Sequence, residues 1–315
     1  MRVTLFKIVE FGQPTQRSWH PPTISKWTFA SSVFTAIPLF FGRYGSQPPC
    51  HDGRDVGTAN TGHMPDNVAR LRALYLDTME RILCNTIYGD ASILPSGGEV
   101  AHDPLQRTEG RDWPACAFTM VGLHRLRNLR QCVEQTLGDG VRGDLIETGV
   151  WRGGASIMMR AVLEAYGDRD RKVWLADSFR GLPPPNPERY PLDEGLHLEG
   201  YSVLAIAVDA VKENFRRFGL LDERVRFVEG WFSETLANVD ADEFAVIRLD
   251  GDLYESTIDA LTALYPKLAP GGFLIVDDYG AVPACRAAVH DYRNQHDIQE
   301  DLHEIDWTGV YWRRS

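Results

Sequence analysis

Five apolar segments from Asp144 onward end on or beside acids or glycine, and helical patterns precede the second, third and fifth of them. They read "DLIET" (Asp144 to Thr148), "KVWLADS" (Lys172 to Ser178), "RVRFVEG" (Arg224 to Gly230), "EFAVIRLDGD" (Glu243 to Asp252) and "FLIVDDYG" (Phe273 to Gly280). The helical stretches between them are "GGASIMMRAVLEAYG", "VDAVKENFRRFG" and "STIDALTALYPKLAPGG", the last expected to end at Pro270-Gly271-Gly272. All but the second strand run apolar without alternation, the signature of a parallel sheet covered on both faces. Strands alternating with helices specify a doubly wound α/β domain. "CRAAVHDYRNQH" adds a helix, and "LHEIDWTGVYWRR" a terminal hairpin turning near Trp307 to Gly309.

The N-terminal part divides in two. Residues 1–63 are rich in Pro, Ser, Thr and Gly without a sustained period, and are expected to be a disordered or non-native extension, with translation starting at Met64. From there "MPDNVARLRALYLDTMERIL" repeats apolar residues at three- and four-residue steps, with Asp66 or Asn67 as its N-cap. A polar loop (89–111) and a second helix from about Phe118 complete a helical cap over residues 64–140, ahead of the 141–315 domain. "FRGLPPPNPERYPLDEGLHLEGY" is too rich in Pro and Gly to be regular, and is long enough for a lid.

The formal net charge of −11 disfavours a nucleic-acid partner. The five cysteines are scattered with no C-x-x-C pair, so neither a zinc knuckle nor a dithiol motif is supported. No run approaches the roughly 18 apolar residues of a membrane span. A cytoplasmic protein is expected, and a homo-oligomer is compatible with the sequence.

In such a sheet ligands bind beyond the carboxyl ends of the strands. The first exit, "IETGVWRGGAS", offers Gly149 and Gly153 for close backbone approach. It is no G-x-G-x-x-G fingerprint, because Glu147 stands where the first glycine belongs. A carboxylate there repels a pyrophosphate but tolerates an ammonium, which suits S-adenosylmethionine better than a dinucleotide. The plain alternative is an ordinary tight turn. Asp177, closing the second strand, is placed to accept ribose hydroxyls, or else to cap a turn. Trp231 at the third exit is placed to stack on adenine, or else to fill a core.

Asp250 and Asp252 close the fourth strand, Asp277 and Asp278 the fifth. Adjacent parallel strands bring these exits together, and crowded carboxylates call for a cation. All-oxygen ligands without His or Cys favour Mg²⁺ over zinc. Taken singly, each acid could instead cap the helix that follows it.

The segments "LYLDTMERILCNTIYGD", "EGRDWPACAFTMVG", "GDLIETGVWRGGASI", "ADSFRGLPPP", "IRLDGDLYEST", "LIVDDYGA" and "GVYWRR" closely resemble the macrocin O-methyltransferase family, from about Met64 to Arg314. The resemblance implies a class I, Rossmann-like methyltransferase fold with a seven-stranded sheet. It implies an S-adenosylmethionine- and Mg²⁺-dependent enzyme methylating a sugar hydroxyl on a glycosylated natural product such as a macrolide or aminocoumarin. It further implies that Asp250, Asp277 and Asp278 ligate the metal, and that Thr119, Met120, Glu147, Asp177 and Ser178 line the cofactor site.

A sugar hydroxyl is a poor nucleophile, so a base must take its proton. Asp250 is the candidate, with His290 a second. The Pro-rich lid and the helix at Tyr75 to Tyr88 are expected to close over the sugar and exclude water. Asp252 is expected to be structural. An NAD-linked oxidoreductase fits Glu147 and the acids badly, and a non-catalytic adenosylmethionine-binding protein needs no metal cluster. A catechol-type phenol methyltransferase is the nearest rival, differing only in the acceptor.

Overall fold

The computed structural model describes residues 64–95 and 97–315. The expected extension over residues 1–63 lies outside them. The described residues open with α1 (Met64–Leu83), then β1 (Ser92–Ile93), β2 (Glu99–Val100), α2 (Pro104–Glu109), β3 (Trp113–Pro114) and α3 (Gly122–Gly138). The alternating region follows: β4 (Asp144–Thr148), α4 (Gly154–Tyr166), β5 (Val173–Asp177), α5 (Val208–Arg217), β6 (Val225–Glu229), α6 (Phe232–Thr235), β7 (Phe244–Leu249), α7 (Tyr254–Leu264), β8 (Leu268–Val276) and α8 (Pro283–Gln295). The hairpin strands β9 (His303–Glu304) and β10 (Val310–Arg313) close it.

The main sheet has seven strands in the order β6-β5-β4-β7-β8-β10-β9. Pairings from β6 to β8 are parallel, and β10 is antiparallel to both β8 and β9. The doubly wound, mostly parallel seven-stranded sheet is therefore the fold that forms. Consecutive strand residues feed opposite cores, since side chains alternate across a strand. Leu145, Leu175 and Ile275 join a cluster with residues of α1, α3, α4 and α5. Ile146, Trp174, Leu274 and Val276 join one with residues of α7 and α8. Each fully buried leucine or isoleucine contributes about 1.5–3 kcal/mol, so burial on both faces explains why these strands lack polar alternation.

Several local expectations change. β6 is a sheet edge and only partly buried, so apolar content misled about its position. Pro270-Gly271-Gly272 does not end a helix. It lies inside β8, where the pairing with β7 jumps from Phe244↔Leu268 to Val246↔Phe273. The polar loop at 89–111 contains α2, capped by Asp103, and part of a small antiparallel sheet of β1, β2 and β3. Asp66 sits in the first turn of α1 rather than at its cap, and α3 starts at Gly122.

Packing runs continuously across residues 140–141: Leu76, Leu83, Leu126 and Leu129 share one cluster with Val162, Ala245 and Ile275. The helix α1 packs on α4 and α3, and none of its residues lines the cavity over the strand exits. Among the described residues no helix is long and apolar enough to cross a membrane.

Candidate active site

Strand order reverses between β4 and β7, and the exits there are locked together by backbone hydrogen bonds. Asp250 N–H donates to the Thr148 carbonyl, and Asp277 N–H to that of Leu249, both at 2.9 Å. Gly149 has φ +80°, and a Cβ there would lie 1.6 Å from the Asp250 carbonyl oxygen. Only glycine allows the two exits this close. The glycine expected from sequence for ligand approach is required first by this backbone contact.

One carboxylate oxygen from each of Asp250, Asp277 and Asp278 lies within 4.8 Å of the others. Burial, with Asp277 adding repulsion, pushes the Asp250 carboxyl up to about 6. Burial and Asp250 push Asp252 up to about 7. Asp278 is raised well above the ordinary carboxylate range by burial and Asp252. These are the signs of acids crowded out of water.

Two arginines hold this acid floor. Arg248, one residue before the end of β7 and 1% exposed, donates through Nη1 to Glu147 Oε1 at 2.7 Å and to Asp250 Oδ2 at 2.9 Å, and through Nη2 to Asp277. Burial disfavours its charge, but Asp277, Asp250 and Glu147 more than offset this and raise its pKa. Arg125, from α3, donates to the other oxygen of Asp277, to Asp306 Oδ2 at 3.0 Å and to the Gly110 carbonyl at 2.9 Å. Neither arginine was singled out from sequence. A basic residue inside "FAVIRLD" carried the signal, because a buried guanidinium requires acid partners.

Does this donor set suit a divalent cation? Among the described residues the Asp278 carboxylate accepts only the Asp252 N–H, at 3.0 Å, and no donor reaches the Asp252 carboxylate. The two guanidiniums pair with four carboxylates, Glu147, Asp250, Asp277 and Asp306, and neither reaches Asp252 or Asp278, so the acids outnumber the cations that hold them. The excess, borne by hard oxygen ligands alone, fits Mg²⁺.

A cavity of about 540 Å³ opens over these exits. It is lined by Glu147, Gly149, Asp177, Ser178, Thr119, Met120, Trp231, Asp250, Asp277 and Asp278, so nearly all the residues singled out from sequence come together. Gly153 is the exception. It stands outside the lining, where a Cβ would lie 2.8 Å from Val211 Cγ1, and so serves the packing of α4 on α5. His290 is also outside, with Nε2 2.9 Å from the Tyr279 hydroxyl.

Glu147 is buried, accepting the Ser156 hydroxyl on Oε2; burial, opposed by Arg248, pushes its carboxyl up to about 7. Asp177 accepts backbone N–H groups of Val150 at 2.6 Å and Phe179 at 2.7 Å, tying the turns after β4 and β5 together. Its carboxyl is raised by burial and lowered by those bonds. Thr119 and Met120 reach the cavity from the segment before α3. Arg180 lies 5.6 Å from the Trp231 ring. Asp252 lines the cavity with φ +56°, a left-handed conformation that is strained for a non-glycine residue. It is structural through its N–H and part of the acid cluster through its carboxyl.

The remaining wall comes from separate segments: Arg111 and Trp113, Leu182 to Pro184 of the lid, and Trp307 and Thr308 of the hairpin loop. Trp307 Nε1 donates to the Glu109 carbonyl at 2.9 Å, and Arg111 stacks 4.2 Å over its ring.

Residues 72–314 match the family model described as macrocin-O-methyltransferase (TylF). The chain is 56% identical over 247 residues to a tetracenomycin-C 4'-O-methyltransferase of Streptomyces olivaceus, covering 78% of this chain and 94% of that protein. It is 51% identical over 246 residues to demethyldecarbamoylnovobiocin O-methyltransferase of Streptomyces niveus, covering 77% and 94%. It is 49% identical over 246 residues to mycinamicin III 3''-O-methyltransferase of Micromonospora griseorubida, covering 77% and 96%. Among solved structures, the O-methyltransferase NovP superposes with a TM-score of 0.75 at 51% identity, covering 78% of this chain and 99% of that one. Calicheamicin methyltransferase CalS11, with a TM-score of 0.51 at 18% identity, shares the fold.

Proposed function

This chain belongs to the macrocin O-methyltransferase family, and we propose that it is a Mg²⁺-dependent enzyme that methylates a hydroxyl of a sugar, commonly a deoxysugar, on a glycosylated natural product. Methyl transfer is the family's reaction, and S-adenosylmethionine is the donor it implies. The observation that carries the finer reading is the convergence of Asp250, Asp277 and Asp278 oxygens within 4.8 Å at the cavity floor. The relatives named for a rhamnosyl tetracenomycin and for mycinamicin support the sugar acceptor.

S-adenosylmethionine, when bound, supplies the methyl group as a sulfonium. Mg²⁺, which Asp250, Asp277 and Asp278 would hold, lowers the pKa of a hydroxyl when bound and orients it. The chain's own residues do the rest. Methyl transfer is an in-line displacement, so holding nucleophile and leaving group collinear supplies much of the rate. Arg248 fixes Glu147 on the donor side and Asp250 and Asp277 on the acid side in one frame. Asp177 sets the turns that carry Gly149 and Ser178. Asp250 takes the proton: its side chain, 26% exposed, is more accessible to an acceptor than those of Glu147 and Asp277. The lid, Trp113 and Trp307 keep water from the reacting atoms.

The test is mass spectrometry of methyl transfer from S-adenosylmethionine to a panel of deoxysugar glycosides and catechols, with Mg²⁺ or with EDTA. Methylated glycosides that vanish with EDTA are expected. Methylated catechols alone would assign the acceptor to the phenol class, and turnover unaffected by EDTA would remove the metal.

A further inference from the structure

The helix that follows the acid loop is capped from elsewhere in the molecule. The N-cap position of α7 is Leu253, whose buried apolar side chain caps nothing. Instead, the Tyr254 and Glu255 N–H groups donate to the two oxygens of Asp193, at 2.7 and 3.0 Å. Asp193 is fully buried and ends the turn Pro191–Asp193 in the lid. A carboxylate here satisfies donors that the helix itself leaves open and complements the positive end of its dipole. The Tyr190 and Tyr254 rings pack 5.7 Å apart beside this contact.

The lid has a second tether, the Trp151 Nε1–H donating to the Val203 carbonyl at 2.9 Å, on the turn after β4. Between the tethers the chain makes one 3₁₀ turn, Leu198–Gly200, and Leu198 and Leu204 line the cavity. The Trp113 and Tyr201 rings, 5.4 Å apart, add a further hold on the lid, and of these holds the Asp193 bonds are the ones at the acids' loop. They begin two residues beyond Asp252, in a loop already strained at Asp252 and folded tightly by Leu253 N–H on the Gly251 carbonyl.

We propose that Asp193 is a positioning residue that latches the lid to the Asp250–Asp252 loop. With the lid down, α7 is capped and the loop is held with its acids in the floor. With the lid lifted, the first turn of α7 loses its cap and the strained loop loosens. Binding of the acceptor under the lid and completion of the acid floor thus become one event, which withholds the reactive arrangement until the site is closed. The consequence for turnover rests on the methyltransfer reading above; the latch itself does not.

Hydrogen exchange of the full chain, followed by mass spectrometry, tests the latch without acceptor. In Asp193→Ala, peptides spanning 190–204 and 250–258 are expected to exchange faster together, roughly five- to tenfold, the size of a lost cap. Asp193→Asn keeps one acceptor and should raise both by less. Trp151→Phe should raise exchange near residue 203 and leave 250–258 unchanged. The kcat of Asp193→Ala should fall about tenfold, from misplaced acids, with S-adenosylhomocysteine affinity within about twofold of wild type. Faster exchange in the lid alone, or a uniform rise across the sheet, overturns the latch. If Asp193→Ala does not fold, the contrast between Asp193→Asn and Trp151→Phe decides it. Wild-type protein that methylates no glycoside contradicts the function reading, while the exchange pattern still judges the latch.

Discussion

The floor of the cavity and its walls are built on opposite principles. The floor is assembled from adjacent exits of one sheet, where backbone hydrogen bonds tie Asp250 to β4 and Asp277 to β7. The walls are gathered from the segment before α3, the lid and the hairpin loop, joined by side-chain contacts such as Trp307 to Glu109. On the proposed function, chemistry falls to adjacent strand exits, and acceptor choice to walls drawn from several separate segments.

Substitutions in the floor should therefore strike turnover and stability, and those in the walls acceptor affinity. On the proposed mechanism, Asp250→Asn removes the base and the charge of one metal ligand. Turnover is expected to fall by at least about 10³-fold, with S-adenosylhomocysteine binding, read by calorimetry, within about twofold. Near-normal turnover would take both roles from Asp250. Arg248→Met leaves Glu147, Asp250 and Asp277 buried without their partner, and should cost about 3–5 kcal/mol in urea unfolding. A loss under about 1 kcal/mol would mean the acids are neutral without it.

Trp307→Ala opens a wall. Acceptor KM should rise about tenfold with kcat little changed, and an equal fall in kcat would make Trp307 part of the floor's chemistry. The smallest effect is a pH signature. The Asp250 carboxyl is raised to about 6 in the folded chain, so its contribution to stability is present at low pH and is lost as pH rises through 6. Without divalent cations, Asp250→Asn should melt a few degrees above wild type at pH 7–8 and converge with it near pH 4. A gap that widens toward acid would reverse the sign.

The floor was also the more legible region. Apolar runs that end in acids announced the strands and their exits, and adjacency in a parallel sheet then brought Asp250 to Asp277 and Asp278. What escaped depended on order or distance. That β6 lies at the edge follows from strand order, which no local pattern encodes. Pro270-Gly271-Gly272 reads as a stop, yet it sits in β8 because a register shift absorbs it. Arg125 looks like an ordinary polar residue of α3 until the fold sets it beside Asp277 and Asp306. The two-residue strands β1, β2 and β3 are too short to show a period. Asp193 sits in a Pro-rich loop, and its partner N–H groups lie 61 and 62 residues on.

Mn²⁺ binding, followed by electron paramagnetic resonance with S-adenosylhomocysteine present, tests the acid floor most directly. One site competed by Mg²⁺ is expected in the wild type and should be lost in Asp278→Asn, whose fold the S-adenosylhomocysteine affinity reports. Equal Mn²⁺ binding by the two proteins, or none by either, would contradict a cation held by Asp250, Asp277 and Asp278.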